Sequence, residues 1–214
     1  MKIACVIFDL DGTLVDTAGD ITASLNYTLK RLKFPMVTES DVMDFIGDGM
    51  HSLLSKATGR TEPEFIERGV RIYRAHYARH CCDLSRPYPG VSRLLGELSG
   101  HKMGIVTNKI EKISLKIIKK LGIFRQVRHV FGGDTLLNRK PHPEPVEKMM
   151  KLLACRPDQT LFVGDSPTDI QAGHNAGAFT CAVTYGYKSR SELAKLKPDF
   201  TIGKFSELRR ILKP

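Results

Sequence analysis

Phe8-Asp9-Leu10-Asp11-Gly12-Thr13-Leu14-Val15-Asp16-Thr17 continues an apolar run, Ile3-Ala4-Cys5-Val6-Ile7-Phe8. The run has the length of a buried strand and is too short to span a membrane. Residues i and i+2 of an extended chain point to the same side, so Asp9 and Asp11 aim into one small volume at the strand's carboxyl end. Gly12-Thr13 then turns the chain. Two unpaired carboxylates so placed repel each other and are costly to desolvate; a divalent cation between them removes the problem. An acid pair at a strand end that asks for a metal reads as chemistry rather than packing.

Outward from this stretch the pattern alternates. Residues 2–8 read as the first strand. A helical region follows from about 17 to 83, with Ile21, Leu25, Leu29 and Leu32 at helical spacing, a helix start at Thr38-Glu39-Ser40-Asp41, a resumed helix over 51–56 and a long helix opened by Glu62-Pro63-Glu64. Arg86-Pro87-Tyr88-Pro89-Gly90 is a turn-rich junction. Beyond it, strands over 101–106, 130–132, 161–163, 179–184 and 199–202 alternate with helices over 91–98, 112–121, 144–153, 167–176 and 205–212. Such alternation predicts an α/β fold, a doubly wound, Rossmann-like parallel sheet with helices on both faces. The expected domains are a core of residues 1–15 and 86–214 and an inserted α-helical cap at 16–85.

Composition excludes several classes. The 214 residues are 42% hydrophobic and 26% charged, with room for one large domain or a domain with an insert. No stretch reaches the roughly 18 apolar residues of a membrane span, and no signal peptide is apparent, so a cytoplasmic, membrane-free protein is expected. Cys5, Cys81, Cys82, Cys155 and Cys181 are odd in number and form no CxxC pair, which suits free thiols in a reducing compartment. The formal net charge is +10, but Lys and Arg are dispersed and not interleaved with aromatics, so there is no clear nucleic-acid site. A positive field would draw in a small anion such as a phosphate ester. Monomer and homodimer both remain open.

In open parallel sheets ligands bind at the carboxyl ends of strands, near the point where strand order reverses. Four sequence positions answer to that rule: Asp9 and Asp11; Val106-Thr107-Asn108-Lys109; Arg139-Lys140-Pro141-His142-Pro143-Glu144-Pro145; and Gly164-Asp165-Ser166-Pro167-Thr168-Asp169. Taken singly, Thr-Asn after a strand is an ordinary turn, Lys140 a surface lysine, and Asp165 with Asp169 an acidic helix start. Taken in order, they supply what phosphoryl transfer needs: a nucleophile, a metal site, hydrogen-bond donors and a cation.

The motifs FDLDGTLVDT, VTNK, KPHPEP and GDSPTD, in this order, resemble the haloacid dehalogenase (HAD) superfamily, in the phosphatase branch close to phosphoglycolate phosphatases. The resemblance covers essentially the whole chain. It implies a hydrolase with Asp9 as nucleophile, forming an aspartyl-phosphate, and Asp11 as the acid that protonates the leaving alkoxide and then activates water. It implies magnesium (Mg2+), held by the Asp9 and Asp165 side chains and the Asp11 backbone carbonyl. Asp169 is either a residue behind the metal ligands or a structural ion-pair partner. Thr107 and the Asn108 amide would bind the phosphoryl oxygens, Lys140 would add the cation, and Thr13 would lie near the phosphate.

Asp11 argues against a dehalogenase, which needs no proton on its leaving group, and Thr13 favours a phosphatase over a sugar-phosphate mutase. In the cap, Gly47-Asp48-Gly49 resembles a loop that approaches the substrate in relatives; it also reads as an ordinary inter-helix turn. Thr107-Asn108-Lys109 is followed by Ile110 where phosphoglycolate phosphatases usually carry proline. The expected activity is magnesium-dependent hydrolysis of a small phosphorylated metabolite, with 2-phosphoglycolate as the leading substrate. The alternatives are a mutase, a pyrophosphatase or nucleotidase of the same superfamily, and an inactive phospho-ligand binding module.

Overall fold

The computed structural model describes residues 2–212. Met1, Lys213 and Pro214, at the ends of the range expected for the core, lie outside the described residues. The apolar run forms β1 (Cys5–Phe8), with all four residues buried. It pairs in parallel with β4 (Lys102–Val106) on one side and β6 (Thr160–Gly164) on the other, so that Phe8 lies opposite Ile105 and Val163. A strand covered on both faces by helices must be apolar throughout, which is why β1 and β6 show continuous rather than alternating hydrophobicity.

The six-stranded sheet runs β5-β4-β1-β6-β7-β8, with β5 at His129–Phe131, β7 at Phe179–Val183 and β8 at Phe200–Ile202. Every neighbouring pair is parallel. The chain builds outward from β1 through β4 to β5, then returns to β1's other edge at β6 and builds outward again. Strand order thus reverses at β1, and the crevice expected of such a sheet opens at the carboxyl end that carries Asp9. The doubly wound α/β fold is the one expected.

Helices α5 (Val91–Glu97), α6 (Glu111–Lys120), α7 (Glu144–Leu152) and α8 (Pro167–Asn175) connect the strands. Val146, Met149 and Met150 of α7 pack with Cys5, Ile7, Val106 and Phe162 in one apolar cluster. A Cβ at Gly104 of β4 would press on the Met149 side chain, so the helix lies against bare backbone there.

Several elements differ from the sequence reading. The first strand covers only part of 2–8, because both ladders begin opposite Cys5. Two short strands, β2 (Val15–Asp16) and β3 (Arg86–Pro87), pair where a turn was expected. A short helix α9 (Arg190–Ala194) stands in a stretch left without structure, and the last helix is divided into a 3₁₀ turn at Phe205–Glu207 and α10 (Leu208–Leu212). These are elements of few residues, whose own propensity is weak beside tertiary packing.

The chain divides into two compact units, residues 1–16 with 87–214 and residues 17–86. The second holds α1 (Ala18–Leu32), α2 (Glu39–Phe45), α3 (Met50–Thr58) and α4 (Pro63–His80). Thr38 and Asp41 cap α2 reciprocally, as the Thr-Glu-Ser-Asp pattern predicts. Ile66, Val70, Tyr73 and Tyr77 form the buried stripe of α4, which packs against α1 and its Ile21, Leu25 and Leu29. Buried Asp20 closes the unit: its carboxylate accepts from the backbone N–H groups of Leu84 and Ser85, at 2.9 Å each, and from Ser85 Oγ at 2.6 Å. Gly47-Asp48-Gly49 lies between α2 and α3, where Asp48 pairs with Lys56 at 2.8 Å.

Candidate active site

The site is built at the carboxyl ends of β1, β4 and β6. Asp9 follows Phe8 directly, and its backbone N–H donates to the Val163 carbonyl at 2.9 Å, which extends the ladder to the nucleophile candidate. Leu10 then closes the turn: its carbonyl accepts from the N–H groups of Leu14 and Val15, at 3.0 Å each. Gly12 sits in this turn with φ +78°, and a Cβ there would overlap the Asp165 carboxylate. Both the backbone conformation and the close approach require glycine.

Asp165 follows Gly164, the last residue of β6. Its Oδ1 accepts from Thr13 Oγ1 at 3.1 Å and its Oδ2 from the Tyr187 backbone N–H at 2.8 Å. Asp169, in the first turn of α8, has divided duties. Its Oδ2 accepts from the backbone N–H and the hydroxyl of Ser166, at 3.0 and 2.7 Å, which caps the helix, and its Oδ1 faces Lys140. Lys140 is reached from β5 by a loop and tied there by Asn108, whose Nδ2 donates to the Lys140 carbonyl at 3.0 Å.

Lys140 Nζ is the buried hub. It stands 2.8 Å from Asp9 Oδ1 and 2.6 Å from Asp169 Oδ1, with its side chain 2% exposed. The Asp9 contact is an ion pair outside hydrogen-bond geometry, so Asp9 Oδ1 is buried without a hydrogen-bond donor. Burial pushes the Asp9 carboxyl up to about 7 against the pull of Lys140, and nearby Asp169 adds to the rise. Burial first, then Asp169 and Asp9, hold Asp165 well above the usual carboxylate range. Burial alone would lower the Lys140 ammonium; Asp169 and Asp9 more than offset it, so the charged form is favoured.

Oxygens of Asp9, Asp165 and Asp169 lie within 4.8 Å of one another, all buried. An all-oxygen cluster, in which burial raises the Asp9 and Asp165 carboxyls, suits a hard divalent cation. Asp9, Asp165 and Asp169 thus gather at one point. The Asp11 side chain is directed elsewhere within the same site, with Oδ2 2.9 Å from Lys109 Nζ. Of the two readings of Asp169, the ion pair with Lys140 is present, and the carboxylate also belongs to the acidic cluster. Thr107 is buried one residue beyond β4, where its Oγ1 accepts from the Lys109 N–H at 3.3 Å.

Sequence reading passed over the segment after β7. Tyr185 OH donates to the Thr13 carbonyl at 2.9 Å, its ring lies against Tyr88 with centroids 4.8 Å apart, and the Tyr187 N–H holds Asp165. Gly186 passes so close that a Cβ would meet the Asp165 side chain and the Gly12 carbonyl. Thr184-Tyr185-Gly186-Tyr187 follows a fifth strand end, so the strand-end rule applied once more would have reached it.

Comparison with known proteins accords with this geometry. A family model described as haloacid dehalogenase-like hydrolase matches residues 6–183. A phosphoglycolate phosphatase of Aquifex aeolicus (strain VF5) is 37% identical over 210 residues, covering 97% of this chain and 95% of its own. The pyrophosphatase PpaX of Bacillus mycoides (strain KBAB4) is 38% identical over 217 residues, covering 99% of this chain and 98% of its own. A crystal structure described as a predicted phosphoglycolate phosphatase from Haemophilus somnus 129pt superposes with a TM-score of 0.93 at 33% identity, over 100% of this chain and 99% of that one. With a match that runs from β1 through β7 and full-length relatives above 30% identity, the chain is an enzyme and belongs to the haloacid dehalogenase-like hydrolase family.

Proposed function

We propose that the protein is a magnesium-dependent phosphatase that hydrolyses a small phosphate monoester through an aspartyl-phosphate on Asp9. The observation that carries this reading is the ion pair of buried Lys140 with Asp9 at the strand end where sheet order reverses, beside Asp165 and Asp169. A nucleophilic carboxylate must approach a phosphoryl group that is itself negative. Lys140 offsets that repulsion for Asp9, and Thr107 with the Asn108 amide supplies donors for the equatorial oxygens. When bound by Asp9 and Asp165, with the Asp11 carbonyl, magnesium would add charge neutralisation at the phosphoryl oxygens.

Asp9 attacks phosphorus, the phosphorus–oxygen bond to the leaving group breaks, and Asp11 gives its proton to the departing alkoxide. Asp11, now a carboxylate, takes a proton from the water that opens the aspartyl-phosphate, and Asp9 is regenerated. Thr13 and Tyr187 hold Asp165 in place throughout. The helical unit of residues 17–86 is assigned as the cap, with Gly47, Asp48 and Gly49 as its substrate-facing loop. Five free cysteines among the described residues suit a reducing cytoplasm, and no described helix is long and apolar enough to cross a membrane.

Release of p-nitrophenol from p-nitrophenyl phosphate should require magnesium and fall about a thousandfold or more in D9N. Metal-independent release, or full activity of D9N, overturns the mechanism. The leading substrate is 2-phosphoglycolate. Pyrophosphate is the second reading, favoured by relatives named pyrophosphatase PpaX at 38% identity. Parallel kcat/KM measurements on the two decide between them, and an isomeric hexose phosphate instead of free phosphate would reveal a mutase.

A further inference from the structure

Two lysines, buried Lys140 and part-buried Lys109, stand in this site, and the mechanism uses one. Lys140 pairs with Asp9, on the side where phosphorus must lie. Lys109 pairs with Asp11, Nζ to Oδ2 at 2.9 Å, with the two side chains 8% and 11% exposed. Given the phosphatase reading, Asp11 touches the bridging oxygen of the leaving group. A cation held beside Asp11 therefore stands on the leaving-group side of the scissile bond.

We propose that Lys109 is a receptor for negative charge on the leaving group, and that it selects phosphate monoesters and anhydrides whose departing portion is anionic. The proposal rests on the phosphatase reading and deepens it. Asp9, Asp11, Asp165 and Asp169 place four carboxylates in the pocket against Lys140 and Lys109. An anionic leaving group must sit near Asp11, and the repulsion there needs a local cation. Orienting Asp11 alone would need only a neutral donor, with less desolvation than a part-buried ammonium demands. A compact ammonium suits a carboxylate or a phosphate equally, as a point charge rather than a planar fork. The class therefore embraces both 2-phosphoglycolate, which departs as glycolate, and pyrophosphate, which departs as phosphate.

The deciding comparison is 2-phosphoglycolate against its amide, which keeps the size and loses the charge. The wild-type enzyme, with magnesium, should prefer the carboxylate by about ten- to a hundredfold in kcat/KM. K109Q should collapse this ratio to about threefold or less, and K109R should retain most of it. A wild-type ratio near one, or a K109Q ratio equal to wild type with both rates reduced together, overturns the proposal; the latter result would leave Lys109 as a positioning residue for Asp11. Product inhibition of the wild type supplies a readout that needs no variant. Glycolate should inhibit about tenfold more tightly than glycolamide, and equal inhibition counts against an anion receptor. Absence of magnesium-dependent p-nitrophenol release would instead mark failure of the phosphatase reading itself.

Discussion

Lys140 carries more of this site than its place in the sequence suggests. It is the cation among three buried carboxylates, and removing one partner of a buried charged set leaves the others uncompensated. K140A should lower stability by about 3–5 kcal/mol in urea unfolding with chelator present. Added magnesium should recover part of that loss, because a cation that binds only the folded state stabilises it by mass action. An unchanged midpoint in chelator would show that the folded state does not depend on this counter-charge. Asp9 and Asp11 were legible as candidates from the strand end they follow, whereas Lys140 and Asp165, ordinary when taken singly, were picked out by the ordered motifs and the family resemblance these carry. The Tyr187 contact was not, since a backbone N–H leaves no residue type to recognise. Lys109 and Lys140 each follow a strand; the family resemblance picks out Lys140 as the cation and passes over Lys109, and the folded geometry pairs Lys109 with Asp11 and Lys140 with Asp9.

At the scale of elements, what was legible depended on pattern. α6, α7 and α8 announce themselves by buried stripes, and their ends fall within a residue of the expected 112–121, 144–153 and 167–176. β2, β3 and α9 did not, because such short elements exist by virtue of their neighbours, and the 3₁₀ turn before α10 divides the helix expected over 205–212. The loop from β7 to α9 shows what such a region does. Gly186 lets it press against Gly12 and Asp165, so two turns from distant parts of the chain fix one carboxylate between them. In G186A the new methyl group would stand 2.5 Å from the Gly12 carbonyl oxygen and overlap Asp165. The supporting shell of a metal site is worth about ten- to a hundredfold in affinity. G186A should therefore weaken magnesium binding by about that factor, read as the magnesium concentration at half-maximal thermal stabilisation. A wild-type magnesium response in G186A would show that the loop yields without moving Asp165.

The whole molecule carries a formal charge of +10, although its site is acidic. Most of that charge is on dispersed side chains; α6 alone bears Lys112, Lys116, Lys119 and Lys120, the residues lining a shallow surface cavity of about 620 Å³ with Leu115. Dispersed lysines add little to stability, since exposed pairs are worth about 0–1 kcal/mol at most. Their collective effect is a long-range potential that concentrates small anions. The distinction is measurable, because a collective field is screened by salt and the buried and part-buried pairs of Lys140 and Lys109 are screened much less. Raising ionic strength from about 0.01 M to about 0.15 M shortens the Debye length from about 30 Å to about 8 Å. Over that range kcat/KM for an anionic monoester should fall about three- to tenfold through KM, with kcat unchanged. A flat kcat/KM would assign the surface charge to solvation alone. A matching fall in kcat would place the salt effect inside the site, where these two lysines rather than the surface set the electrostatics.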